Sequence, residues 1–310
     1  MILSVSRRTD IPNYYAPWFY KRLQEGLVCV RNPVSPHRVS RIRLSPDTVD
    51  CIVFWTKNPE GMLYGLSELE PYPYYFQFTL TGYGREIEPG IPNKRHLLTI
   101  FKELSRQVGR ERVVWRYDPI FISRRYPVSY HLHAFGEIAK ILRSSTDTVV
   151  ISFLDVYEKI KRHMEAFDMR VPTGEQMVEL AASMARIAAQ NDMRIEACAE
   201  QVDLTGAGVL KGHCIDKARI KRLTGSAIRA AKDPNQRMAC GCMESVDIGA
   251  YNTCKNGCAY CYANAGEVRV LRNGTQYDEM SPLLCSRIGP EDVVSDRQVI
   301  SLRTAQYSLF

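Results

Sequence analysis

The sequence predicts an α/β fold, a partial or complete (β/α) TIM-like barrel that carries a C-terminal cysteine-rich segment. Three observations predict it. Six short runs rich in β-branched and aromatic residues recur before residue 200. They are almost continuously apolar, the pattern of strands buried on both faces. Helix-period segments lie between them, and repeated strand–helix alternation argues for parallel βαβ units.

The first run is Ile2–Ser6, followed by a helical stretch over Tyr14–Glu25. Leu27–Val30 and Arg38–Leu44 flank a Pro-rich loop and read as a hairpin inserted after that helix. Cys51–Thr56 and Tyr74–Leu80 are the second and third runs. In Lys94–Gln107, residues Leu97, Leu98, Ile100, Phe101 and Leu104 gather on one side of a helix. Arg112–Tyr117 is the fourth run, and a helix over Tyr130–Leu142 precedes the fifth, Thr148–Phe153. The clearest helix is Gly174–Gln190. Thr173 and Gln176 form a capping-box pair at its start, and Met177, Leu180, Ala181, Met184, Ile187 and Ala188 repeat at helical spacing. Arg194–Cys198 is the sixth run. An open doubly wound sheet is the alternative arrangement, because strand order is not written in a sequence.

After residue 205 the pattern changes, which divides the chain into a barrel core, 1–205, and a cysteine-rich segment, 206–310, expected to pack over the barrel mouth. Lys217–Ile228 reads as one more helix. From Asp233 to Gly266 periodicity fails, and cysteine, glycine and polar residues dominate. From Glu267 onward the chain reads as polar strand or loop, with Ser281-Pro282-Leu283-Leu284 as its apolar knot.

With 310 residues, 45% of them hydrophobic, the chain can bury a core that needs no disulfide staples. Its ten cysteines therefore ask for another explanation. The opening MILSVSRRTD lacks the layout of a signal peptide. No stretch approaches the roughly 18 apolar residues of a membrane helix. We read a cytoplasmic protein with no membrane partner, acting as a monomer. In that compartment clustered thiols are metal ligands or catalytic groups more often than bridges. The formal charge of +7 is spread along the chain. It fits an anionic substrate or nucleic acid, and a plain solvated surface at least as well.

Polar residues directly follow most of the six runs, where barrel enzymes keep their chemistry. Arg7, Arg8, Lys57, Arg116 and Asp118 are the candidates to hold the polar ends of a substrate or cofactor, since a guanidinium suits carboxylate or phosphate. Structural ion pairs at strand ends use the same residue types.

Cys254, Cys258 and Cys261 form a C-x3-C-x2-C pattern, with Gly257 allowing a tight turn. Three thiolates at this spacing can bind three irons of a cubane and leave the fourth open. A structural zinc or an ordinary loop are the plainer readings. Cys29, Cys51 and Cys285 lie in apolar surroundings and read as small buried hydrophobes. Cys198, Cys214, Cys240 and Cys242 are candidate ligands of an auxiliary site, a second iron–sulfur cluster in preference to zinc; four unrelated cysteines are the alternative.

Cys254, Cys258, Tyr260 and Cys261 resemble the C-x3-C-x-aromatic-C signature of radical S-adenosylmethionine enzymes. The string Gly257 to Ala263 is similar to that of the spore photoproduct lyase-like branch. The whole chain resembles the bacterial family known as domain of unknown function 1848. That likeness rests on Ser6-Arg7-Arg8-Thr9-Asp10-Ile11-Pro12, Phe54-Trp55-Thr56-Lys57-Asn58-Pro59, Trp115-Arg116-Tyr117-Asp118-Pro119, Cys240-Gly241-Cys242 and Asp247-Ile248-Gly249-Ala250-Tyr251. The triad departs from the usual radical-enzyme layout by following all six runs, closer to the thiamine-pyrimidine synthase type, whose tail cluster folds over the barrel mouth. The resemblance implies a [4Fe–4S] cluster that cleaves S-adenosylmethionine to a 5′-deoxyadenosyl radical, with flavodoxin or ferredoxin as electron donor. It places Tyr260 and Asn264 at the cofactor. It leaves the substrate open, either a small molecule or, as in a repair lyase, nucleic acid. A non-enzymatic iron–sulfur or zinc protein is the remaining reading.

Overall fold

The computed structural model describes residues 1–304. Eleven strands form two sheets: β1 (Ile2–Val5), β2 (Leu27–Arg31), β3 (Arg38–Arg43), β4 (Cys51–Thr56), β5 (Tyr74–Thr79), β6 (Val113–Ile120), β7 (Thr148–Phe153), β8 (Arg194–Cys198), β9 (Leu210–Gly212), β10 (Val246–Asp247) and β11 (Val293–Asp296). The large sheet has eight strands in the order β10-β1-β4-β5-β6-β7-β8-β9. Every neighbouring pair in it is parallel. The six runs read from the sequence are the six central strands.

From β1 to β8 the order never reverses, unlike a doubly wound sheet with its switch point. Hydrogen bonds do not close the sheet into a barrel: among the described residues β9 and β10 are its two edges. Both edge strands come from the segment 206–310. They are three and two residues long, too short to leave a period in the sequence.

One face of the sheet packs on helices. Leu3, Val5, Phe54, Phe76, Phe78 and Trp115 point into this main core. Phe54 stacks on Phe76 at 4.6 Å and Trp115 on Phe135 at 4.8 Å. The helices are α1 (Ile11–Tyr14), α2 (Ala16–Glu25), α3 (Lys94–Val108), α4 (Val128–Leu142), α5 (Lys161–Ala166), α6 (Gly174–Gln190), α7 (Lys217–Thr224) and α8 (Glu267–Gly274). The capping box at Thr173 and Gln176 is present at the start of α6.

The other face carries a smaller core. Ile2, Val53, Tyr75, Val114 and Val150 meet Ile215, Ile220, Ile228 and four cysteines there. Residues 214–242 thus cover this face. Within this stretch Arg219 of α7 donates to the Glu111 carbonyl and to Thr148 Oγ1, at the N-terminal ends of β6 and β7. The segment after residue 205 therefore reaches both ends of the sheet.

β2 and β3 pair antiparallel as the expected hairpin, and β11 joins them in a separate three-stranded sheet. Two expectations are corrected. The first helical stretch breaks into α1 and α2 at Tyr15, where the Asp10 side chain caps α1 and Pro17 opens α2. The stretch from Glu267 begins with helix α8, whose sole buried residue is Val270, so it left little apolar signal.

Candidate functional site

A cavity of about 900 Å³ opens at the C-terminal ends of the parallel strands. Residues in the C-terminal halves of, or just past, β1, β4, β5, β6, β7, β8 and β10 all contribute to its wall. Arg7, Arg8, Lys57, Arg116, Asp118 and Tyr260 line it, together with seven cysteines: 198, 214, 240, 242, 254, 258 and 261. Asn264 does not. Its Nδ2 donates to the Cys254 carbonyl at 2.8 Å and ties the cysteine loop back on itself.

Arg116 is buried on β6. It donates from Nη1 to Cys214 Sγ at 2.6 Å and from Nη2 to Asp118, which also accepts from Ser152. Burial would raise the Asp118 carboxyl, but Arg116 and Ser152 hold it below the usual range. Arg7 and Arg116 both pack on the Trp55 ring, at 5.1 and 5.4 Å. The Arg7 guanidinium lies 3.7 Å from Asp233, and Arg8 Nε 3.9 Å from Asp247.

Lys57 donates to Glu88 Oε1 at 2.8 Å and sits 5.5 Å from the Tyr260 ring. Glu88 also accepts from Lys94, Thr81 and Tyr260. Burial works to raise this carboxyl; the two lysines overrule it and hold it at about 2. Sequence reasoning missed Glu88. Its only signal is that of one of two glutamates, Glu86 and Glu88, in the loop after β5, where solvated carboxylates are common.

Asp10 joins the parts. Its carboxylate accepts from the Lys57 amide at 2.8 Å and from Asn256 Nδ2 at 3.1 Å. It thereby fixes the loop after β1, the loop after β4 and the 254–261 turn to one another.

In that turn Gly257 takes φ +63°, the left-handed conformation that favours glycine. Burial pushes the Cys254 thiol up to about 12, and Cys258 and Cys261 upward as well. Burial by itself opposes the thiolates that a metal binds, and a cation held between the three sulfurs would reverse that balance. All three are free and open into the cavity, so the donor set fits an iron–sulfur cluster.

One expectation about the cysteines is corrected. The spacing pattern puts the cysteine cluster in the C-terminal segment. Among the described residues, the three thiols lying within 4.8 Å of one another are instead Cys198, Cys214 and Cys242. Cys198 ends β8, Cys214 follows β9 and Cys242 precedes β10. Strand order brings these sequence-distant positions together, which no local spacing reveals. Cys240 is buried in the same cluster. The crowded thiols pull Cys242 down toward the thiolate and push Cys214 up to about 12. Cys29, Cys51 and Cys285 are buried outside the cavity, as expected of small hydrophobes.

Fold and site define an α/β protein with a large parallel sheet and a thiol-lined cavity at its strand ends. The chain belongs to the family described as domain of unknown function (DUF1848), whose model matches residues 2–263. The match spans all seven cavity cysteines and stops before α8 and β11. No curated protein matches the chain. No helix among the described residues is long and apolar enough to cross a membrane.

Proposed function

We propose that the chain is a radical S-adenosylmethionine enzyme, with a [4Fe–4S] cluster held by Cys254, Cys258 and Cys261. One observation carries the reading: the three thiols of this spacing open into the same cavity as Arg7, Arg8 and Arg116. When bound, such a cluster supplies the electron that cleaves the sulfonium of S-adenosylmethionine.

The chain's own residues supply placement and exclusion of water. Arg7 and Arg8 present guanidinium groups for a carboxylate or phosphate. The Lys57 charge is matched by Glu88, so this lysine acts by steadying Tyr260, which both residues touch. Tyr251 and Tyr262 also line the cavity. Asp10 and Asn256 keep the cysteine turn at fixed distance from β1 and β4.

Anaerobic reconstitution with iron and sulfide, then dithionite and S-adenosylmethionine, tests the reading. Formation of 5′-deoxyadenosine supports it. A cluster that assembles without cleaving the cofactor leaves an iron–sulfur protein with another role. Cleavage at the wild-type rate by Cys254→Ala removes the triad from the assignment.

A further inference from the structure

We propose that Cys198, Cys214, Cys240 and Cys242 hold a single zinc ion that staples the open seam between β9 and β10. The inference is independent of the chemistry assigned to the other three cysteines.

The spacing argues for one ion. Zn–S bonds of about 2.3 Å in a tetrahedron place the sulfurs about 3.8 Å apart. Cys198 and Cys214 have sulfurs 3.0 Å apart, and with Cys242 all three lie within 4.8 Å of one another. Cys240, two residues before Cys242 and buried in the same cluster, supplies the fourth thiol. A cubane would need four irons and four sulfides between these sulfurs, and thiols in mutual contact enclose no such volume. A disulfide would use two of the four and leave the others without a role. The 3.0 Å separation is also well beyond the roughly 2.05 Å of a disulfide bond.

The charges agree. Zinc with four thiolates carries a net charge of about −2. Buried Arg116 and half-buried Arg7 face the group. Arg116 Nη1 donates to Cys214 Sγ at 2.6 Å. Arg7 Nη2 is buried without a partner, in a side chain that faces Cys242 and Cys214. Outer-shell donors of this kind orient and neutralise metal-bound sulfur.

The position gives the ion its role. The main sheet has its two edges at β9 and β10. Cys198 and Cys214 sit at the ends of β8 and β9, while Cys240 and Cys242 lead into β10. The Met243 amide donates to the Ile215 carbonyl at 3.1 Å across the same seam. An ion here joins the two edges where the strand ladder does not.

Zinc binding by the full-length Cys254→Ala/Cys258→Ala/Cys261→Ala variant tests this without interference from the triad. About one zinc per chain, free of acid-labile sulfide, is expected. Adding Cys214→Ser and Cys242→Ser should abolish it. Arg116→Met should weaken zinc affinity by roughly 10- to 100-fold while the cysteines stay in place. Because the serine variants can misfold, X-ray absorption at the zinc edge of wild-type protein gives a second reading, with four sulfurs at about 2.3 Å expected. A triple variant that takes up no zinc overturns the proposal. So does iron with sulfide on these four cysteines, or an absorption shell of nitrogen and oxygen. Failure of the radical chemistry would change none of these results.

Discussion

Lys57 Nζ lies 2.8 Å from Glu88 Oε1, and the carboxylate is almost completely sealed from solvent. The pair joins the end of β4 to the loop after β5, beneath Tyr260 of the cysteine turn. A buried carboxylate shared by two lysines costs little while all partners remain, and much when one is removed.

Glu88→Gln should therefore destabilise the protein by about 3 kcal/mol, the low end of the range for breaking a buried pair, because Lys94 is partly exposed and can relax toward water. Urea denaturation measures it. Glu88→Gln combined with Lys57→Met should recover part of the loss, since the stranded charge is then gone. If the double variant is no more stable than the single one, the uncompensated lysine is not the cause.

His131 predicts a pH dependence. It is fully buried on α4, accepts at Nδ1 from Tyr117 (3.0 Å) and donates from Nε2 to the Phe121 carbonyl (2.8 Å), the tautomer this network requires. Burial lowers its pKa from 6.5 to about 4. The unfolded chain thus takes up a proton as pH falls below 6.5, and the folded one does not until about pH 4. Stability is fully present above 6.5 and is lost toward 4, by up to roughly 3 kcal/mol. His131→Gln should show a shallower fall in unfolding free energy across that interval. An unchanged slope would remove His131 as its source.

Much of this architecture is legible in the sequence, and the omissions have physical causes. The six central strands declare themselves because a strand covered on both faces must be apolar throughout, as in Cys51–Thr56. The edges β9 and β10 escape because two or three residues carry no period. The C-x3-C-x2-C turn is legible because its ligands are neighbours in the chain. Cys198, Cys214, Cys240 and Cys242 are legible as a candidate set, but four unrelated cysteines read the same way, because Cys198 and Cys242 meet only through strand order. Glu88 was invisible for the same reason: both its lysines come from other elements.

Asp247 tests the seam at β10. Oδ1 accepts from Ser6 Oγ at 2.6 Å and from the Gly249 amide at 3.0 Å. Oδ2 accepts from Ser4 Oγ at 2.9 Å and from the Arg7 amide at 2.8 Å. Asp247→Ala leaves two partly buried amides without acceptors, each costing about 1–3 kcal/mol. Asp247→Asn keeps one acceptor oxygen, and serine hydroxyls can turn to accept from its NH2. The expected order of unfolding midpoints is wild type, then Asp247→Asn, then Asp247→Ala. Equal midpoints for the two variants would mean that the acceptors do not matter.

Gly90 tests how the cysteine turn is seated. Its amide donates to the Asn256 carbonyl at 3.0 Å. An added Cβ would lie 2.6 Å from the Lys255 carbonyl oxygen and 2.9 Å from Asn256 Cα. Both are backbone atoms of the turn between Cys254 and Cys258, so no side-chain rotation relieves the clash. Gly90→Ala should cost about 1–3 kcal/mol by overpacking and push residues 255–256 away from Asp10. Iron retained per chain after reconstitution should fall with it, although no ligand has been changed. Gly206→Ala is the control, since a Cβ there meets nothing within 4 Å. A Gly90→Ala protein matching that control in both melting temperature and iron content would show that the turn is not seated against Gly90.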